Sequence, residues 1–197
     1  GQSRYEEADE TGHCGTGGVR MSSLPTKCVV DTNVPKTANL ARDPNAIPDE
    51  LIGCVQACVD IVEQVVKQGR LVIDAGDEIF DEYRHNLALH GQPGVGDRFL
   101  KWVHDNRWSF PNEDRVPITR DGESYAEFPD HEGLAAFDNS DRKFVAVAHA
   151  HRNKPPIMQA TDSKWWGWRK ALDDVGIAVH FLCEEYIQAK YAEKMGS

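Results

Sequence analysis

Cys28-Val29-Val30-Asp31-Thr32-Asn33 is the stretch on which the fold turns. A short apolar run without alternation suits a strand buried on both faces, the kind a parallel sheet provides. Asp31 then falls at the carboxyl end of that strand, where ligands and catalytic groups of open α/β sheets gather. The pattern returns at Ile157-Met158-Gln159-Ala160-Thr161-Asp162, a second apolar run that closes on an acid.

Around these two anchors the remaining elements follow in order. Residues 49–68 place Leu51, Ile52, Val55, Cys58, Val59, Val62, Val65 and Val66 at helical spacing, with Pro48 and Asp49 as a start and Gly69 as a stop. Residues 71–74 read as a strand and residues 77–89 as a helix with Ile79, Phe80, Tyr83 and Leu87 on its apolar side. Phe99, Leu100 and Val103 mark a further helix that ends before Pro111. Helix returns over residues 139–151, followed by a strand at 157–161, a Trp-rich helix, a strand at 176–181 and a C-terminal helix. Strand alternates with helix almost throughout, which predicts an α/β fold: a three-layer αβα sandwich around a central, mostly parallel sheet.

Two segments break this rhythm. Residues 111–133 are punctuated by Pro111, Pro117, Gly122, Pro129 and Gly133 and hold only a short strand candidate at 116–119. They are expected to form an irregular insertion, either a functional lid or disordered. Residues 1–20 crowd Gly12, Gly15, Gly17 and Gly18 behind an acidic run. They read as vector-derived sequence or a flexible arm, which leaves 21–197 as a single domain.

With 197 residues, 40% of them hydrophobic and 27% charged, the chain has the composition of a globular domain with one substantial core. No segment approaches the roughly 18 uninterrupted apolar residues of a membrane span. The net charge of −10 argues against a protein that grips nucleic acid by broad Coulomb attraction. The five cysteines form no CxxC pair. Cys54 and Cys58, one helical turn apart, are expected to be a buried apolar pair rather than a disulfide or zinc pair, and the compartment to be reducing and cytoplasmic.

The acids carry the chemistry. Asp31 and Asp162 end strands, while Glu82 and Asp141 lie at or near helix starts. Carboxylates gathered at one sheet edge repel one another, and a hard divalent cation is the usual neutraliser. Glu78, one turn before Glu82, competes for the second position, and Asp138 competes with Asp141 or caps the helix behind it. Asn33, Thr32 and Thr161 can support a carboxylate or a phosphate oxygen from an outer position. In Lys164-Trp165-Trp166-Gly167-Trp168-Arg169-Lys170, Trp165, Trp168 and Leu172 share the core side. Trp166 faces outward, where with Lys164 and Arg142 it is a candidate for substrate contact. Simple helix capping explains Asp138 and Glu78 comfortably but Asp31 and Asp162 poorly.

Val29-Val30-Asp31-Thr32-Asn33 resembles the opening strand of the PIN-domain nucleases, and three further motifs follow in that family's order. Residues 71–74 with Glu78-Ile79-Phe80-Asp81-Glu82-Tyr83-Arg84 are similar to its second strand and acidic helix. Asp138-Asn139-Ser140-Asp141 looks like its Asp-x-x-Asp helix start. Ala160-Thr161-Asp162 resembles its Thr-x-Asp motif, although here Thr and Asp are adjacent. The resemblance covers residues 27–190. It implies a PIN-like, Mg²⁺- or Mn²⁺-dependent phosphodiesterase, favouring an endoribonuclease, with Asp31, Glu82, Asp141 and Asp162 as catalytic metal ligands. It also implies an RNA substrate and, because many relatives are toxins of toxin–antitoxin pairs, an inhibitory protein partner; a homo-oligomer is compatible. One alternative is a PIN-like binding or scaffolding module without catalysis. A haloacid-dehalogenase-type phosphatase ranks lower, because its Asp-x-Asp would need an acid where Asn33 stands.

Overall fold

The computed structural model describes residues 25–196; the arm expected over 1–20 and Cys14 lie outside them. The chain is mixed α/β. β1 (Val29–Val30) pairs in parallel with β6 (Ile157–Gln159), and β6 with β7 (Val179–Phe181). β2 (Ile73–Asp74) pairs in parallel with β3 (Arg115–Val116), and a parallel bridge between Cys28 and Leu71 joins the two ladders. The resulting order is β3-β2-β1-β6-β7. β1, β2 and β6 are wholly buried, as their unbroken apolar runs require. β4 (Arg120–Asp121) and β5 (Ser124–Tyr125) form a separate antiparallel hairpin.

The helices are α1 (Asn33–Ala38), α2 (Ile52–Gln68), α3 (Glu78–Asn86), α4 (Val95–Asn106), α5 (Arg142–Ala150), α6 (Lys164–Asp174) and α7 (Glu184–Met195). In α2, Cys54, Val55, Cys58, Val62 and Val65 turn inward, and the helix stops at Gly69, whose φ of 64° is the left-handed conformation that glycine adopts without strain. α1 packs on α2 and α4, α5 lies against β1, β2 and β6, and α6 meets α7. Helix α1 was not expected; its six residues are too short for a periodic signal.

Two expectations are corrected. Residues 111–133, expected as a functional lid or a disordered segment with a short strand at 116–119, are not disordered. They supply the edge strand β3, the β4–β5 hairpin, and buried Asp114, Val116 and Tyr125. Asp114 is bonded to Lys27 and, at 3.0 Å, to His151 Nε2. The His151 Nδ1 accepts from the Asn153 amide, so the Nε2 carries the proton given to Asp114. The second correction concerns the cysteines. Cys54 is disulfide-bonded to Cys183, at a Cα–Cα distance of 4.9 Å, and ties α2 to the start of α7. Cys28 and Cys58 are free and buried. The expectation of a reducing compartment rested on unpaired cysteines, and this bond removes that ground. Among the described residues no helix is long and apolar enough to cross a membrane.

Candidate metal centre

Parallel pairing sets the carboxyl ends of β1, β2 and β6 on one edge of the sheet, and the acids converge there. The Asp31 amide extends the ladder by donating to Met158 O at 3.1 Å. Its carboxylate, 4% exposed, accepts from the Asn33 amide at 2.9 Å. The Asn33 side chain spans the strand ends, its Oδ1 accepting from the Ala160 amide at 3.1 Å. Asp162 caps the next turn through the Lys164 amide at 3.0 Å. Asp141, at the start of α5, accepts from the Trp165 indole N–H at 3.2 Å. Glu82 accepts from the Thr32 hydroxyl and pairs with Lys143 Nζ at 3.1 Å. Asp138 pairs with Lys164 Nζ at 2.9 Å.

The electrostatics register this crowding. Burial pushes the Asp31 carboxyl well above the usual carboxylate range, and the charges of Asp141, Glu82 and Asp162 push it further. Asp141 is raised from 3.8 to about 6, first by burial, against the lowering hydrogen bond from Trp165, and then by Asp162, Glu82 and Asp138. Among the described residues neither Asp31 nor Asp141 has a Lys or Arg ion-pair partner.

The donor set suits a hard divalent cation, being all carboxylate oxygen. The tightest group is Asp138, Asp141 and Asp162, with one oxygen of each within 4.8 Å of the others. For comparison, trans oxygens around an octahedral Mg²⁺ stand about 4.2 Å apart. This moves Asp138 closer to the centre than its outer role in the sequence reading. Glu82 stands outside that triad but close enough to raise Asp141, and Asp31, also outside it, is itself raised by Asp141.

Four other candidates are placed differently. Glu78 turns to the hairpin, accepting from Arg120 Nε at 3.1 Å and Tyr125 OH at 3.0 Å. Thr161 is half-buried beside Asp162, and among the described residues its hydroxyl bonds none of the acids. Arg142 is spent on structure, donating to Phe137 O, Ala135 O and Ser124 Oγ and lying over the Phe128 ring. Trp166 is half-buried against Phe181, at 5.2 Å between ring centroids, with Arg169 over its face at 3.9 Å. It lines a cavity of about 840 Å³ along β7, and none of the site acids borders that cavity.

No family model, curated protein or solved structure matches this chain.

Two groups at the centre, Trp165 as a bonding partner and Asp74, escape the sequence reading, while Lys143, beside Asp141, is ambiguous in sequence between substrate contact and surface. Lys143, two residues after Asp141, pairs with Glu82. Trp165, expected only as core, is fully buried and also bonds Asp141. Asp74 ends β2 as Asp31 ends β1, but its carboxylate is consumed by the Glu78 and Ile79 amides at 2.8 Å each, holding the start of α3. Its position at a strand end was the available signal.

The raised carboxyls fix a pH dependence. Asp141 titrates near 3.8 when unfolded and near 6 when folded, so its contribution to stability is full below about pH 4. That contribution is lost as pH rises through about 6, where the charge must be held among its acidic neighbours. In chelator, Asp141→Asn is therefore expected to match wild type near pH 4 and to exceed it at pH 7 by up to about 3 kcal/mol. Paired thermal melts check this. Equal stability of the two proteins across the whole range would mean that the carboxyls are not coupled.

Proposed function

We propose that this chain is a PIN-like, metal-dependent nuclease acting on RNA, with its helices layered on both faces of the sheet. The observation that carries the reading is the pair of buried or half-buried acids, Asp31 and Asp141, each raised by the other carboxylates and each without a cation. A protein gains nothing in stability from that arrangement unless a cation offsets it. Asp31, Asp141, Asp162 and Asp138 are the residues that would hold Mg²⁺ or Mn²⁺. Such an ion supplies stabilisation of developing phosphate charge and a water of lowered pKa.

The chain's own groups complete the chemistry. Glu82, fixed by Thr32 and Lys143, is positioned to accept a proton from an attacking water. Lys143 pairs with that carboxylate and brings a positive charge to the edge where a phosphate would lie. Asn33 and Trp165 hold Asp31 and Asp141 in place, so no reorganisation is needed when substrate arrives. A cytoplasmic toxin-type role with an inhibitory protein partner remains part of this proposal.

The deciding experiment is hydrolysis of a labelled single-stranded RNA, and of the matching DNA, with Mg²⁺, Mn²⁺ or chelator. Metal-dependent RNA cleavage is expected; none with either ion would sink the reading. Glu82→Gln is expected to lower the rate at least about tenfold. Glu78→Gln should leave the rate near wild type and loosen the hairpin by no more than about 1 kcal/mol, as exposed pairs do. The reverse ranking would assign the proton to the wrong turn of α3.

A second reading has its own observation. Lys143 on Glu82 and Lys164 on Asp138 neutralise part of the cluster without metal, which suits a PIN-like binding module. Stoichiometric Mn²⁺ binding separates the two, since the module predicts none.

A further inference from the structure

On the side of α3 away from the acids, Trp108 is 64% exposed, an unusual position for the largest side chain in an otherwise well-packed domain. Two guanidinium groups attend it. Arg107 lies 4.8 Å from the ring centroid and Arg115 4.4 Å. Arg107 also covers the Phe80 ring at 4.0 Å and is anchored by Asp77, Nε to Oδ1 at 3.2 Å. Asp77 itself is held at φ 63°, a conformation uncommon for a side-chain-bearing residue. Among the described residues Arg115 has no carboxylate partner, and its Nε is buried without a hydrogen-bond acceptor. In a chain of net charge −10 this sets one positive charge without an acidic partner among the described residues, Arg115, beside an exposed indole.

We infer that Trp108, Arg107 and Arg115 form a docking platform for single-stranded RNA, with a base stacked on the indole and an adjacent phosphate at Arg115. The inference rests on the nuclease reading of the chain and names where its substrate lies beyond the acidic centre. An exposure of 64% leaves ring face open for a base, and every base has a π-face to offer it. The cation without a carboxylate selects an anion, and guanidinium geometry matches phosphate. An acidic protein segment would satisfy the charge but would leave the flat indole without its match.

The placement suits a strand that reaches the site. Phe80 and Glu82 are two residues apart on α3 and so face opposite sides. Platform and acids are thus separated by at least the width of a helix, about 10–12 Å, a span of a few nucleotides.

The test is fluorescence anisotropy in chelator, which prevents turnover, with a labelled 12-nucleotide single-stranded RNA and a 12-residue polyglutamate peptide. Trp108→Ala, an exposed position, should melt as wild type does and bind the RNA roughly 5- to 100-fold more weakly. Arg115→Gln should weaken binding and lower the slope of log affinity against log salt by about one. RNA binding of Trp108→Ala equal to wild type would overturn the platform. So would an equal loss towards polyglutamate, which would mark a plain acidic-peptide surface. The two readings fail separately. RNA bound through Trp108 but never cleaved with Mg²⁺ or Mn²⁺ refutes the nuclease and leaves the platform. Cleavage with RNA affinity unaffected by Trp108→Ala does the opposite.

Discussion

Asp31→Asn is expected to abolish metal-dependent RNA cleavage while raising the melting temperature of the metal-free protein. Asn keeps the shape and the hydrogen bond from the Asn33 amide but removes the charge that a hard cation needs. Losing an outer-shell partner of a metal site typically costs about 10- to 100-fold, so loss of a ligand should cost at least about 100-fold. The gain in stability has the same origin. Asp31 is buried beside Asp141, Glu82 and Asp162, and ionising it in that company is unfavourable. Two measurements check the prediction: cleavage rate in Mn²⁺, and melting temperature at pH 7 with and without the ion. Wild type should gain stability on adding Mn²⁺, and the variant should gain much less. Cleavage at the wild-type rate would exclude Asp31 from the centre. A metal-free variant less stable than wild type would show that the Asp31 charge is not opposed by its neighbours.

The centre was readable in the sequence where an acid closes an apolar run. Asp31 and Asp162 had that signature because a buried parallel strand tolerates a charge only where the chain leaves the sheet. Glu82 and Asp138 were readable only as one of two neighbours, because helical spacing puts Glu78 on the Glu82 face and capping explains Asp138 equally well. Their side-chain partners settle where they point: Glu78 to Arg120 and Tyr125, Glu82 to Thr32 and Lys143, Asp138 to Lys164. The pairing of Lys143 with Glu82 and the bond from Trp165 to Asp141 have no signal in the sequence, since the direction of a long side chain on a short helix depends on tertiary packing. The Cys54–Cys183 bond joins residues 129 apart in sequence, and nothing local marks such a pairing. Cys54 and Cys58 are both buried, as their helical spacing suggests, and Cys58 is free; only the bond from Cys54 to distant Cys183 departs from the expected apolar pair.

Residues 111–133 misled for a different reason. Proline and glycine punctuation is a true record of turns, and the segment does turn repeatedly. Composition does not record that two-residue strands can still pair with the sheet, or that a single acid, Asp114, can be fully buried between a lysine and a histidine. Replacing residues 112–131 with a short Gly/Ser link is therefore expected to abolish cooperative folding. The change deletes β3, the edge partner of β2, together with buried Val116 and Tyr125. It also strands Lys27 and His151 without Asp114, and breaking a buried charged cluster costs about 3–5 kcal/mol by itself. Stabilities of small domains lie at about 5–15 kcal/mol, so the ion cluster and the sheet edge together consume the margin. Loop length alone would not do this, because shortening the loop to about a quarter changes stability by only about 1 kcal/mol, and in the stabilising direction. Circular dichroism melts and amide dispersion by NMR give the answer. A cooperative melt within about 5 °C of wild type would mean that the segment is a dispensable surface excursion and that β3 contributes little to the sheet. Asp114→Asn isolates the polar part: it should lower the melting temperature clearly while leaving β3 paired, and metal-dependent cleavage by the folded fraction should persist, because Asp114 precedes β3, at the opposite edge of the parallel sheet from Asp31 and Asp162.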